Sequence, residues 1–330
     1  MKGRTVGVDA TTLEANAAMK TIVRRDNGQS YDQFLTALAK ASGIETPTRE
    51  DLQRIDKKRK KKTSNKEWVN PHDPDARVTK MKDGSTHLAH KAEHAVDMET
   101  GAVLAVTVQG ADQGDTSTVR ETLAEAGQTV AALVEQESQR GAETNVNVQG
   151  IEEVVTDKGY HSNAVLTGLK QSGTRSYIPE PQRGKRKWEG KAEEKQAVYA
   201  NRKRIKGRYG KRLLKKRGEL IERSFEHNYG HGGMRRIHLR GHENILKRIL
   251  IHVSAYNLSL ILRETIGAGT PKELRSVQTE LIVAILWLHS EVGRSYEAET
   301  GGSHRFTRPP VKKRTAPTIE DYSLQTRSGS

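Results

Sequence analysis

The chain has 330 residues, no cysteine and a formal net charge of +15. Without cysteine it can form neither disulfides nor thiolate metal sites. No apolar run approaches the roughly 18–20 residues of a membrane span, so we expect a cytoplasmic protein with no membrane partner. The positive charge is concentrated in residues 183–223, which contain 17 Lys or Arg and five Glu. Such clustering favours binding to nucleic acid, because clustered cations displace phosphate counterions; the alternative is a solvated basic surface.

The first half of the chain predicts strands around an irregular segment. Residues 5–10 (TVGVDA) predict a strand that ends at Asp9. Residues 20–82 predict an irregular basic insertion with one helix, at 31–41, and a run of Lys and Arg at 57–62. Strands at 87–98 and 102–108 follow, joined by a Glu-Thr-Gly turn. Asp115 is predicted to cap a helix over 116–136.

The second half predicts two more strands and a series of helices. The strands lie at 151–156 and 175–178, with a helix over 163–171 between them, capped by Ser162. A helix-rich stretch follows at 193–225, and three glycines are expected to interrupt it: Gly207, Gly210 and Gly218. Helical spacing of apolar residues predicts helices at 244–266 and 273–292. Strands with crossover helices between them indicate an α/β fold, with a mixed sheet covered on both faces.

Two aspartates share one local context that points to metal chemistry. Asp9 ends the run VGVD and Asp157 ends VVTD. If their strands are neighbours the two carboxylates converge, and they then need a cation between them. Two divalent metals would satisfy this need and would support phosphoryl transfer. A third carboxylate would come from the helical segment after the basic cluster, where the helix face alone does not choose among Glu219, Glu222 and Glu226.

Other polar residues have structural explanations. We interpret Asp97 as a hairpin residue. Three histidines follow the last acids, but with spacings of four and seven and no cysteine they do not predict a zinc site: His227, His231 and His238. Trp188, within the basic cluster, can either stack on a base or pack against the core.

Four segments, in this order, carry a resemblance to a known family. They are VGVDATTLEANA (6–17), NPHDPDARVTKMKDG (70–84) with the hairpin after it, VVTDKGYHS (154–162) and KKRGELIERSFEHNYGHGGMRRIHLRG (215–241). Together they resemble the DDE transposases of bacterial insertion sequences, which have a ribonuclease H-like core. The resemblance covers roughly residues 6–264.

The resemblance implies a specific site and activity. It assigns a metal-binding triad of Asp9, Asp157 and Glu222, the last on an E-R-x-F pattern, holding two Mg²⁺ ions, with Mn²⁺ as a substitute. It implies DNA strand cleavage and strand transfer by a homo-oligomer assembled on DNA, in the bacterial cytoplasm at the nucleoid. Eight basic residues are candidate DNA contacts: Lys185, Arg186, Lys187, Arg217, Arg223, Arg235, Arg236 and Arg240.

The resemblance also predicts the organisation of the chain. The catalytic domain is expected over residues 1–268, followed by an amphipathic helix at 269–296 and a disordered tail at 297–330. Members of the family carry an N-terminal helical region that recognises transposon ends, whereas this sequence begins eight residues before Asp9. We therefore expect sequence-specific end recognition to be missing. Two alternatives stay open: a catalytically inactive or domesticated DNA-binding relic, and a metal-dependent nuclease of the same fold.

Overall fold

The computed structural model describes residues 1–59, 63–81, 84–141, 144–182, 184, 186–270, 272–276, 278–279 and 282–283. The chain divides into two units, Met1–Thr270 and Pro271–Ser330, and the fold described below is that of the first. The tail predicted at 297–330, most of the helix predicted at 273–292, and residues 60–62 of the basic run lie outside the described residues.

Six of the eight described strands form one mixed sheet. Its order is β4-β5-β1-β7-β8, with β6 beside β5 on the same edge as β4. β1 is antiparallel to β5 and parallel to β7, which is parallel to β8. The predicted mixed sheet is therefore confirmed. The strands are β1 Thr5–Glu14, β2 Val23–Arg24, β3 Trp68–Val69, β4 Arg77–Lys80, β5 Thr86–Asp97, β6 Val103–Gly110, β7 Glu153–Val155 and β8 Arg175–Tyr177.

Seven α-helices lie in the described residues of the first unit. They are α1 Tyr31–Ala41, α2 Arg49–Lys58, α3 Asp115–Gln139, α4 Asn163–Gln171, α5 Ala192–Lys206, α6 Arg208–Phe225 and α7 His242–Ile266. α1 and α4 have the predicted bounds, because Ser30 and Ser162 cap them with their side-chain oxygens. α2 was not predicted; it begins after Thr48, which forms a capping box with Asp51. Residues 20–82 are thus more regular than their sequence pattern suggests.

Helices cover both faces of the sheet, because side chains of β1 alternate between two cores. Val6 and Val8 pack into a cluster with residues of α3, α4 and α5. Leu13 belongs to the cluster on the other face, formed with α6 and α7. Gly7 and Asp9 have the same parity as Leu13, so Asp9 belongs to the α6 face.

Three predicted details of the helices are wrong. α6 runs through Gly210 and Gly218 without a break; the chain breaks only at Gly207, between α5 and α6. Burial of the apolar face of α6 outweighs the low helix propensity of glycine. Gly210 also lies so close to the carbonyl of Arg204 that a side chain there would clash. Asp115 is the first residue of α3 and not its cap, which is Gly114.

α7 combines core packing with an apolar composition. By length and composition it is the one described helix that could cross a membrane, and 22% of its most apolar window is buried inside the protein. Its inner face supplies Ile245, Ile249, Val253 and Tyr256 to the core.

Candidate active site

Neighbouring parallel strands bring Asp9 and Asp157 to the same level of the sheet. β1 pairs with β7 in a register that sets Gly7 opposite Val155. Two residues further along, Asp9 of β1 is level with Asp157, which follows the end of β7. The charge of the Asp157 carboxylate contributes to raising the pKa of Asp9, so the two carboxylates interact electrostatically. The sequence predicted that the strand ends at Asp9. β1 instead continues to Glu14, so Asp9 lies within the strand.

The Asp9 carboxylate is held by two donors within the chain. Oδ2 accepts a 2.8 Å hydrogen bond from Nη1 of Arg217, and Oδ1 accepts one of 2.8 Å from the backbone N–H of Ala10. The Asp9 side chain is 30% exposed and that of Arg217 is 14% exposed. Burial raises the pKa of Asp9 above its ordinary 3.8, although Arg217 lowers it. The charge on Asp9 is therefore incompletely compensated, which favours a further cation.

Gly7 allows α6 to approach β1 closely enough for this ion pair. A Cβ at position 7 would lie 2.7 Å from Sδ of Met98, 3.2 Å from Cγ of Arg217 and 3.3 Å from Cδ1 of Ile221. The first of these distances is shorter than packed side chains allow and the other two are tight, so a side chain at position 7 would force its neighbours to move. The glycine of the VGVD motif thus sets the spacing between the strand that carries Asp9 and the helix that carries its partner.

Asp157 is fixed by the turn that it begins. Its Oδ1 accepts a 2.8 Å hydrogen bond from the N–H of Gly159, capping a 3₁₀ turn at Lys158–Tyr160. A Cβ on Gly159 would lie 3.0 Å from Oδ1 of Asp157 and 2.6 Å from Oδ2 of Asp115. The second aspartate therefore lies in a compact turn packed against the start of α3.

A buried polar network behind this turn was not predicted from the sequence. The hydroxyl of Tyr160 donates a 2.8 Å hydrogen bond to Oε1 of Glu93, which is fully buried on β5. Burial and the charge of Glu93 both raise the pKa of Tyr160, so the phenol stays protonated. Nζ of Lys91 lies 3.6 Å from Oε1 of Glu93 and 2.6 Å from Oδ1 of Asp115. The only sequence signal was that Lys91 and Glu93 occupy alternate positions of β5, on either side of Ala92.

A second network anchors the end of α6 on the opposite face of β5. His94 lies opposite Asp9 in the β1–β5 register. Its Nδ1 is 3.1 Å from Oγ of Ser224 and its Nε2 is 2.6 Å from the hydroxyl of Tyr229. Burial lowers the pKa of His94 to about 3, so the imidazole is neutral and accepts one of these hydrogen bonds. The C-terminal half of α6 is thereby fixed over Asp9.

The three candidate third acids all lie on the exposed side of this helical segment. Glu222 follows the buried Ile221 and is exposed, and its side chain has no hydrogen bond or ion pair among the described residues. Glu219 is 59% exposed, 4.0 Å from Lys215. Glu226 is 55% exposed and is bound by Arg235 at 3.0 Å. Glu222 is thus the candidate with its carboxylate uncommitted.

The structure brings together two of the three predicted ligands. Asp9 and Asp157 are coupled, whereas the Glu222 carboxylate makes no described contact with either. Within the part of the chain that the structure describes, no group of three His, Asp or Glu side chains is close enough together to hold a metal ion. His227, His231 and His238 are included in this statement.

The predicted DNA contacts differ in their availability. Lys185 lies outside the described residues, and Lys187 and Arg223 are exposed. Arg186 is held by Glu180 at 2.7 Å and lies over the ring of Trp188, which packs against the core. The remaining four also have protein partners: Arg217 binds Asp9, Arg235 binds Glu226, Arg236 lies 3.7 Å from Glu14, and Arg240 donates to the carbonyl of Asn16.

The sequence of the chain matches one protein family. The family described as "Transposase DDE domain" matches residues 51–258. The chain belongs to this family. Asp157 and Glu222 lie inside the matched residues, and Asp9 lies ahead of them. Among curated proteins the chain has no match.

Membership gives the fold and the broad role of the protein. The transposase domain has the ribonuclease H-like α/β fold expected from the resemblance. Transposases act on DNA, so DNA is its partner. Divalent metals are general in the family, which agrees with the oxygen-only character of the coupled pair formed by Asp9 and Asp157.

Proposed function

We propose that this transposase domain catalyses metal-dependent cleavage of DNA strands and transfer of the cut strand to a target, as the transposase of an insertion sequence. One observation carries the proposal. The parallel pairing of β1 and β7 brings Asp9 level with Asp157, and the Arg217 guanidinium compensates only part of the charge of the two carboxylates. Two neighbouring carboxylates whose charge is incompletely compensated favour the binding of a cation.

The side chains present fit a hard divalent cation. Carboxylate oxygens are the ligands that Mg²⁺ and Mn²⁺ prefer. Asp9 and Asp157 supply two of them, and Glu222 supplies the third because its carboxylate is uncommitted. When bound, the metal would lower the pKa of an attacking water and stabilise charge on the leaving oxygen.

The chain's own residues hold this arrangement in place. The Lys91–Glu93–Tyr160 network fixes the turn that carries Asp157, and the neutral His94 fixes α6, which carries Glu222. Neither the turn nor the helix therefore has to become ordered when DNA binds. Arg217, released from Asp9, is positioned to neutralise a backbone phosphate near the acids. Lys187 and Arg223 are exposed and can contact phosphates without breaking an ion pair.

The test is a joining assay with a matched pair of variants. The purified chain is incubated with Mg²⁺, labelled DNA ends and a supercoiled target plasmid, and nicked and joined products are separated. We expect both products with the wild-type chain and with Glu219→Gln, and neither product with Glu222→Gln. Nicking without joined product would favour the metal-dependent nuclease, and DNA binding without either product would favour the inactive relic.

A further inference from the structure

α7 carries apolar residues on two opposite sides. One side packs into the core through Ile245, Ile249, Val253 and Tyr256. The outward side exposes four large apolar residues, each with 42% to 64% of its surface accessible to solvent: Leu250, Ile251, Leu258 and Ile261. Exposed apolar residues that are contiguous on one helix face mark an interaction surface more often than scattered ones do.

The outward side has the spacing of a helix–helix seam. Its central residues follow one another at intervals of four and three: Lys247, Ile251, Ser254, Leu258, Ile261 and Thr265. All six are exposed. This alternation keeps one stripe facing a partner helix. The stripe covers 19 residues, which is about 28 Å at 1.5 Å per residue, a length that matches another helix and not a compact ligand.

The same stripe is symmetric about position 256, and this symmetry indicates a second copy of the helix as its partner. An antiparallel copy of α7 centred there would set 251 opposite 261, 254 opposite 258, and 247 opposite 265. Each large apolar side chain then meets an apolar or small one, and the serine leaves room for the leucine opposite. A parallel copy would instead set Lys247 against Lys247 and Ser254 against Ser254.

The helix dipoles agree with the antiparallel arrangement, because they oppose each other favourably in it. The charged side chains do not choose between the two orientations: Lys247 is paired with Glu243 of the same helix at 2.6 Å, and Arg263 lies beside Glu264.

We propose that the outward side of α7 is a dimerisation surface, and that its partner is a second copy of this chain bound antiparallel. The proposal goes beyond the catalytic function and does not depend on it, because α7 carries none of the three proposed metal ligands. A dimer would hold two copies of the Asp9–Asp157 pair in one particle.

Oligomeric state tests the surface directly. The full chain is examined by sedimentation equilibrium without DNA, beside a double variant that places charges on the stripe, Ile251→Glu with Leu258→Glu. The matched control is Leu239→Glu, which changes an apolar residue of 42% exposure outside α7. We expect a dimer for wild type and control, and at least a tenfold weaker dimer for the double variant, with circular dichroism showing all three folded. A wild-type monomer, or a dimer that the double variant leaves unchanged, would overturn the proposal.

Orientation is tested by cysteines, which the natural chain lacks. Ser254→Cys and Leu258→Cys proteins are oxidised separately and as an equal mixture. The antiparallel pair predicts that the mixture forms the cross-linked dimer faster than either protein alone. Faster cross-linking in the separate preparations would show a parallel pair and overturn the arrangement. If the chain is monomeric and instead co-sediments with lipid vesicles through this stripe, the face belongs to a membrane surface and the proposal fails.

Discussion

The two sides of the proposed site are constructed differently. Asp9 lies on β1 and Asp157 begins the turn just after β7, so the β1–β7 register places their backbones and hydrogen bonds fix their carboxylates. Glu222 lies on α6, where only its neighbours Ile221 and Ser224 are anchored and its own side chain is exposed. The sheet therefore positions side chains, whereas the helix positions only a backbone. A site of this kind is half organised before a metal arrives, and its last ligand has to be recruited.

The largest expected effect comes from changing the length of each acid by one methylene. Asp157→Glu should lower Mg²⁺-dependent nicking about a thousandfold, equivalent to about 4 kcal/mol, because the turn around Gly159 leaves no room for a longer side chain. Glu222→Asp should lower it only about tenfold, because an exposed side chain on a helix can adjust. Asp112→Asn, an exposed acid paired with Arg77, is the control. Equal losses of nicking activity in Asp157→Glu and Glu222→Asp would show that both sides of the site are equally rigid.

The Arg217–Asp9 ion pair gives the next largest effect. An opposite charge at this distance changes the proton affinity of a carboxylate by about one to three pKa units. A competing cation should be affected similarly, so Arg217→Gln should tighten Mn²⁺ binding about tenfold in calorimetry while lowering DNA affinity. Arg212→Gln, on an exposed residue of the same helix, serves as the comparison for the metal and should leave Mn²⁺ binding unchanged. Weaker Mn²⁺ binding by the Arg217 variant would mean that the guanidinium supports the metal and does not compete with it.

His94 makes the anchoring of α6 sensitive to pH. Its folded-state pKa of about 3 lies below the unfolded value of about 6.5, so protons bind the unfolded chain more tightly. The stability that depends on the neutral imidazole is therefore fully present above pH 6.5 and falls by up to about 1.4 kcal/mol per pH unit below it. Urea unfolding at pH 7.5 and 5.0 should show a loss of about 2 kcal/mol that is absent from His94→Gln. An identical loss in the variant would assign the pH dependence to other groups; His238→Gln, an exposed histidine, is the matched control.

The smallest effect is expected on the basic surface. Lys187→Gln should weaken DNA binding a few-fold for every sequence and reduce the slope of log affinity against log salt by about one. Arg186→Gln should leave that slope unchanged and lower thermal stability instead, because Arg186 is bound by Glu180 and Asn163. Fluorescence anisotropy at several salt concentrations distinguishes the two, and a loss restricted to one DNA sequence would contradict backbone contact.

Features determined by local sequence were predictable. The bounds of α1 and α4 follow from serine caps, and the pairing of Asp9 with Asp157 follows from two similar strand-end motifs. The mixed sheet follows from the order of strands and crossover helices.

Features determined by contacts distant in sequence were not predictable. The role of Glu93 depends on Tyr160, 67 residues away, and Arg217 reaches Asp9 across 208 residues. The continuity of α6 through Gly218 depends on a core that its own sequence does not reveal. Arg186 has the composition of a DNA contact but is bound inside the protein, because charge type does not indicate which carboxylate lies nearby.

Gly159 does not adopt the left-handed backbone that usually requires glycine. It is required for the volume that it leaves empty between Asp115 and Asp157. A single methyl group at this position would act as a wedge that pushes Asp157 away from Asp115. Replacement by alanine and then by serine would move Asp157 relative to Asp9 in graded steps, which offers engineers a way to adjust the spacing of that pair without changing an acid.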